Sequence, residues 1–272
     1  MTRDLFAPLR RGPAYAQTPL VISVPHAGRF YPEEIAAARA VPQRVIEELE
    51  DRHADLLIGA AVGEGAVAIV AQCARAWIDL NRAPVDDGEG RHARGGLGLI
   101  PTRLGGQLLW RTPPDADARA ARVAVVHRPY HAAIAAALAE ARALHGFALL
   151  IDCHSMPPIR RGPGAGAALV IGDRHGRSAD RMIIDAVAAA AQARSLSVSR
   201  NAPYAGAYTI EHHGIPERRC DALQLEWDRS LYLRQGLREP NAGISAIAQH
   251  FAALCRAAIA AAERPPLLDA AE

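Results

Sequence analysis

The chain has 272 residues, half of them hydrophobic and 22% charged, with 31 basic against 29 acidic side chains and a net charge of +2. That balance belongs to a globular domain and gives no surface for polyanions, so no nucleic-acid partner is expected. Every basic residue is Arg, which removes a lysine-bearing phosphate loop, a Schiff-base lysine and a Ser–Lys dyad. Four cysteines, Cys73, Cys153, Cys220 and Cys255, include no CxxC pair, which argues against a disulfide framework and an all-cysteine zinc site. The first twenty residues lack an apolar stretch of signal-peptide type. No membrane association and a cytoplasmic setting are expected.

In chain order, short apolar runs predict strands at Leu20–Val24, Ala66–Ala71, Ala76–Leu80, Ala148–Asp152, Ala168–Ile171 and Ala222–Trp227. Helical patterns lie between them, at roughly Gln43–Val62, Ala116–His145, Ser178–Arg194 and Gly243–Ala262. Pro129 predicts a break near Arg128. Alternating strands and helices imply one α/β domain over 1–272, with its core at about 18–262 and loose ends. Three layers are expected, around a mostly parallel or mixed sheet. A Gly-rich stretch, Asp86–Gly106, reads as a lid or an ordinary loop, and RRGPGAG at 160–166 as a second loop.

Ligands of open α/β sheets bind beyond the carboxyl ends of the strands. The segments that follow the predicted strands are Ser23-Val24-Pro25-His26-Ala27-Gly28, Asp79-Leu80-Asn81-Arg82, Asp152-Cys153-His154-Ser155 and Gln224-Leu225-Glu226-Trp227-Asp228-Arg229. Two His, a Glu and Arg side chains gathered at one sheet edge are the inventory of a zinc hydrolase. Such a site needs about three N or O ligands, a carboxylate that is not a ligand to carry the proton, and a guanidinium to hold a substrate carboxylate. No Gly-x-Ser-x-Gly elbow and no GxGxxG after the first strand compete with that reading.

Seven blocks carry a resemblance to a known family: SVPHAG at 23–28, EDRHADLL at 50–57, DLNR at 79–82, RPYH at 128–131, DCHS at 152–155, NAPYAGAYTIEHHG at 201–214 and LQLEWDRSLY at 223–232. In this order they resemble the N-formylglutamate amidohydrolases, which in turn look like distant cousins of zinc carboxypeptidases and aspartoacylases. The resemblance implies a carboxypeptidase-like α/β fold, a zinc ion or another divalent metal, and hydrolysis of the N-formyl amide of N-formyl-L-glutamate, a small N-acyl acidic amino acid, to formate and L-glutamate. It implies metal ligation by His26 and His154, with Asp51 as third ligand on a predicted helix and Glu33 or Glu34 as alternatives. It assigns Glu226 as general base, with Asp152 as support to a histidine. Arg82 and Asn81 are the expected substrate-carboxylate anchor, Tyr130 and His131 line the pocket, and Arg229 holds a second carboxylate or orients Glu226. His212 or His213 donates to the oxyanion. Arg29 in the first loop and RRGPGAG soon after DCHS are departures that leave open another small N-acyl amino acid or amide as substrate; a binding protein without turnover is the non-enzyme alternative.

Overall fold

In a computed structural model, residues 4–84, 97–159 and 166–263 are described. Strands form at β1 (Leu9–Arg11), β2 (Leu20–Val24), β3 (Val67–Val70), β4 (Arg103–Leu104), β5 (Gln107–Leu108), β6 (Ala148–Met156), β7 (Leu169–Gly172), β8 (Val198–Arg200) and β9 (Cys220–Asp228). All but β4 and β5, which form a separate hairpin, join one sheet in the order β1-β3-β2-β6-β9-β7-β8. β3, β2, β6 and β9 run parallel; β1 is antiparallel to β3, and β7 is antiparallel to β9. The expected mixed sheet is present, with helices on both faces.

Those helices are α1 (Glu33–Ala38), α2 (Gln43–Ile46), α3 (Ala54–Leu57), α4 (Gly59–Gly63), α5 (Ala116–Arg122), α6 (Arg128–His145), α7 (Arg181–Gln192), α8 (Tyr208–His213) and α9 (Ile244–Ala262). α3, α4 and α7 pack with α9 on one face, while α6 and α8 pack on the other. Strand alternation divides the core accordingly. Leu149, Ile151 and Cys153 of β6 and Leu223, Leu225 and Trp227 of β9 join the α9 side. Ala148, Leu150 and Ala222 join the α6 side. Continued by two residues at a time, the α6 side receives Asp152 and His154 from β6 and Gln224 and Glu226 from β9. The apolar period that builds the core thus becomes polar where the strands emerge from it.

Three expected elements differ. Ala76–Leu80 is a run of turns rather than a strand. Its buried apolar residues pack as a strand's would, but its backbone is satisfied one group at a time: Asp79 N–H by Leu99 O at 2.7 Å, Leu80 O by His131 and Trp77 O by Arg122. The predicted helix over 43–62 is broken after a 3₁₀ turn at Glu47–Leu49. Glu50 is extended, Asp51 N–H leaves the helical ladder to bond His26 O at 2.9 Å, and His53 adopts a left-handed φ of 62°. Asp51 is therefore on a kinked connection, not on the predicted helix. Pro129 does not interrupt the long helix; the turn before it widens to a π-helix over Val123–His127, and α6 continues from there.

β1 and β8, three residues each, carry too little periodicity to be read from sequence. α9 is long and apolar enough to cross a bilayer by length and composition. In the fold it is a core helix, with Phe251, Leu254, Cys255 and Ala258 buried. Residues 86–96 of the Gly-rich stretch, 160–165 of the second loop and the end beyond 263 lie outside the described residues.

Candidate active site

The connection after β2 carries His26 into the molecule, and Gly28 is what lets it turn there. A Cβ at Gly28 would sit 2.0 Å from the Cys73 carbonyl oxygen, so only glycine allows this chain to lie against the segment that leads to Asp79. Opposite, β6 and β9 pair residue for residue, Asp152 beside Gln224 and His154 beside Glu226. His26, Asp51 and His154 converge with their donor atoms within 4.8 Å of one another, all buried.

Each imidazole has a carboxylate at its Nε2, and His154 Nε2 also lies 3.1 Å from Asn81 Nδ2. His26 Nε2 lies 2.7 Å from Asp79 Oδ1, and His154 Nε2 lies 2.8 Å from Asp152 Oδ2. Carboxylates there place each ring proton on Nε2 and turn the Nδ1 lone pair toward Asp51 Oδ2, at 3.4 Å from His26 and 2.9 Å from His154. Two lone pairs facing one carboxylate are favourable only with a proton or a cation between them, and His26 Nδ1 is a buried atom with no hydrogen-bond partner. The N, N, O donor set fits a divalent ion such as zinc, cobalt, manganese or iron.

The electrostatics agree with this geometry. Burial works against the Asp51 carboxylate, but His154 and His26 hold it well below the usual carboxylate range. Burial likewise opposes charge on His154, yet Asp152 and Asp51 raise it. Asp79 is held low against burial by Arg75, His26 and Arg82. Glu226 goes the other way: burial, with Asp51 adding, outweighs His154, Arg75 and Arg229 and pushes its carboxyl up to about 7.

Glu226 is aimed by a polar chain. Thr209 N–H donates to Asn81 Oδ1 at 2.8 Å, Asn81 Nδ2 to Gln224 Oε1 at 3.4 Å, and Gln224 Nε2 to Glu226 Oε1 at 2.9 Å. Arg229 does not touch Glu226. Its guanidinium donates to Asp51 Oδ1 at 2.9 Å, to Ser155 Oγ and to two backbone carbonyls, so it fixes Asp51. A cavity of about 470 Å³ opens over the group, lined by His26, Asp51, Asn81, Arg82, His154, Glu226 and Arg229 among others.

Tyr130, His131 and His212, expected at the substrate or the oxyanion, are not among its lining residues. The Tyr130 hydroxyl is buried beneath the sheet against Ser23 Oγ and Ile69 O. His131 Nε2 donates to Leu80 O at 2.8 Å while its Nδ1 accepts from His213 Nε2 at 3.0 Å, and the neighbouring His127 donates to Arg82 O at 2.8 Å. These rings grip the backbone on either side of Asn81 from below. His212 lies on the exposed side of α8, stacked on Tyr208 with ring centroids 5.0 Å apart. Glu33 and Glu34 are exposed on α1 and outside the group, whose third member is Asp51.

Arg75 was missed in sequence. It lines the cavity with Nε on Asp79 Oδ2 at 2.9 Å, and no other donor of its guanidinium is engaged among the described residues. Its only sequence signal is position, four residues before the Asp of DLNR, where a turn brings both to one edge.

The family model described as N-formylglutamate amidohydrolase matches residues 18–233. An N-formylglutamate deformylase of Pseudomonas aeruginosa is 32% identical over 235 residues, covering 80% of this chain and 83% of that protein. One of Pseudomonas putida is 30% identical over 230 residues, covering 80% and 82%. The crystal structure of an N-formylglutamate amidohydrolase from Ralstonia eutropha superposes with a TM-score of 0.83 at 28% identity, over 95% of this chain and 98% of that one. A gene product of Agrobacterium tumefaciens shares the fold, with a TM-score of 0.71 at 20% identity over 95% and 96% of the two chains.

Proposed function

The chain belongs to the N-formylglutamate amidohydrolase family, hydrolases of an amide bond, and from that premise we propose that it cleaves N-formyl-L-glutamate to formate and L-glutamate with a divalent metal ion, zinc in our reading. The observation that carries this is the buried convergence of His26, Asp51 and His154 beside the Glu226 carboxylate. A metal ion held by His26, Asp51 and His154 supplies Lewis acidity toward the formyl carbonyl and toward water.

The remaining steps belong to the protein. Gln224 occupies Glu226 Oε1 and leaves Oε2 as the base. That oxygen takes a proton from the attacking water and returns it to the departing nitrogen, so the C–N bond breaks to give formic acid and a neutral amine, and transfer of the acid's proton to the amine leaves formate and the ammonium of L-glutamate. A carboxyl pushed up to about 7 suits both halves of that shuttle. Arg82 and Arg75 face a dianionic substrate as its carboxylate anchors, and the Asn81–Gln224 chain keeps the base aimed. Arg229 serves Asp51 rather than the substrate.

The test is release of formate and free amine from N-formyl-L-glutamate by native, chelated and zinc-restored protein, beside N-formyl-L-aspartate and N-acetyl-L-glutamate. Turnover lost on chelation, restored by zinc and strongest on N-formyl-L-glutamate is the expected result. Preference for the acetyl substrate would overturn the substrate assignment, and turnover indifferent to exhaustive chelation would overturn the metal.

A further inference from the structure

A second cavity, of about 510 Å³, lies away from the catalytic group. Its walls include Phe6, Trp77, Trp110 and Pro113, and it is floored by Arg122. The Arg122 guanidinium carbon stands 3.5 Å over the Trp77 ring, and one Nη donates to Trp77 O at 3.0 Å. Arg122 is only 9% exposed, and among the described residues no carboxylate forms an ion pair with it. Arg122 Nε and Trp77 Nε1 are buried donors without an acceptor. Charged groups of buried arginine type are almost always paired, because desolvating a cation is costly. At the rim stand two exposed carboxylates, Glu34 and Asp115. Glu34 acts on Arg122 through space without reaching it, while burial lowers the affinity of the guanidinium for its proton.

A cation in the floor, carboxylates at the mouth and two indoles between them are complementary to a small zwitterion with an apolar side chain. From this charge pattern we infer that the groove around Trp77, Trp110 and Arg122 binds an apolar α-amino acid, its carboxylate on Arg122 and its ammonium toward Glu34 and Asp115. The site is tied to the catalytic segment at two points. Trp77 precedes Asp79 by two residues, and the π-helical turn after Arg122 ends in His127, which holds the Arg82 carbonyl.

Two of the three tryptophans line this groove, while Trp227 is buried in the core on the other face of the sheet, so intrinsic fluorescence reports occupancy without any need for turnover. The protein is titrated with L-phenylalanine, with phenylacetate and with phenethylamine, each with and without excess L-glutamate. Saturable quenching is expected with L-phenylalanine, unaffected by L-glutamate, and about tenfold weaker when either charge is missing. Arg122→Met should abolish the preference for the carboxylate. Glu34→Gln, an exposed change that leaves the floor intact, should weaken L-phenylalanine and leave phenylacetate unchanged or tighter. No saturable quenching, displacement by L-glutamate, or equal binding of all three probes would each overturn the inference.

Discussion

In the proposed reaction Glu226 is the side chain on which the chemistry turns, and its substitution separates the roles of base and ligand. Glu226→Gln keeps the shape and the acceptor that Gln224 uses but holds no proton to transfer. We expect kcat to fall roughly 10²–10⁴-fold with KM and bound metal little changed, read by steady-state kinetics and metal analysis. Arg229 should show the opposite pattern. Arg229→Met leaves the Asp51 carboxylate buried without its guanidinium partner, so metal affinity should drop by about 10–100-fold in competition with a chelator. If Arg229→Met binds metal normally and raises only KM, then the residue serves the substrate after all. Two residues with the same burial are thus told apart by which measurement they move.

Among the elements, the long α5–α6 helix does more than cover the sheet. His127 and His131 rise from it to hold the carbonyls of Arg82 and Leu80, the two residues flanking Asn81. Because Asn81 begins the side-chain bonds that end on Glu226, loosening this grip should misaim the base without touching it. His131→Ala is expected to lower kcat by about tenfold at nearly unchanged KM, and His131→Gln, which can still donate to Leu80 O, to recover part of the loss. Equal losses in both variants, or a change confined to thermal stability, would count against the positioning role. The sequence carried His26, His154 and Glu226 plainly, since each stands at the end of an apolar strand pattern. Asp51 could be found from the EDRHADLL block but not placed, because its backbone conformation is decided by a hydrogen bond to His26 twenty-five residues earlier. Arg75 and the role of Asp79 were illegible for the same reason: periodicity describes strands and helices, whereas the 72–82 segment is shaped by contacts from α6 and from Leu99. Arg229 was visible as a residue and misdirected as a role, because sequence proximity to Glu226 says nothing of its reach across to Asp51.

For the whole molecule, the buried imidazoles set a limit on acid stability. His213 is pushed down to about 4 by burial and by His212, and His131 to about 2 by burial and by His127. Both are neutral in the folded state, while in the unfolded chain they take a proton near pH 6.5. Stability is therefore complete above about 6.5 and falls as the pH drops, because the unfolded state then binds protons that the folded state refuses. His213 alone should cost ~3 kcal/mol by pH 4, seen as a declining denaturation midpoint between pH 6.5 and 4 and blunted in His213→Gln. A flat midpoint across that interval would show the ring to be solvated. The pairing of β6 with β9 has a different kind of consequence. Since His154 and Glu226 are opposite members of one ladder, the spacing between proposed ligand and proposed base is written in main-chain hydrogen bonds, which side-chain replacement does not move. The walls of the cavity at Leu97, Leu104 and Pro203–Ala207 come instead from connections outside the seven-stranded sheet. Heritable change in such a protein has two separate channels: the reaction is inherited with the backbone, and what is admitted to it can drift with the loops. Directed evolution toward a bulkier acyl group should accordingly find its gains at those connections and almost none on the two strands.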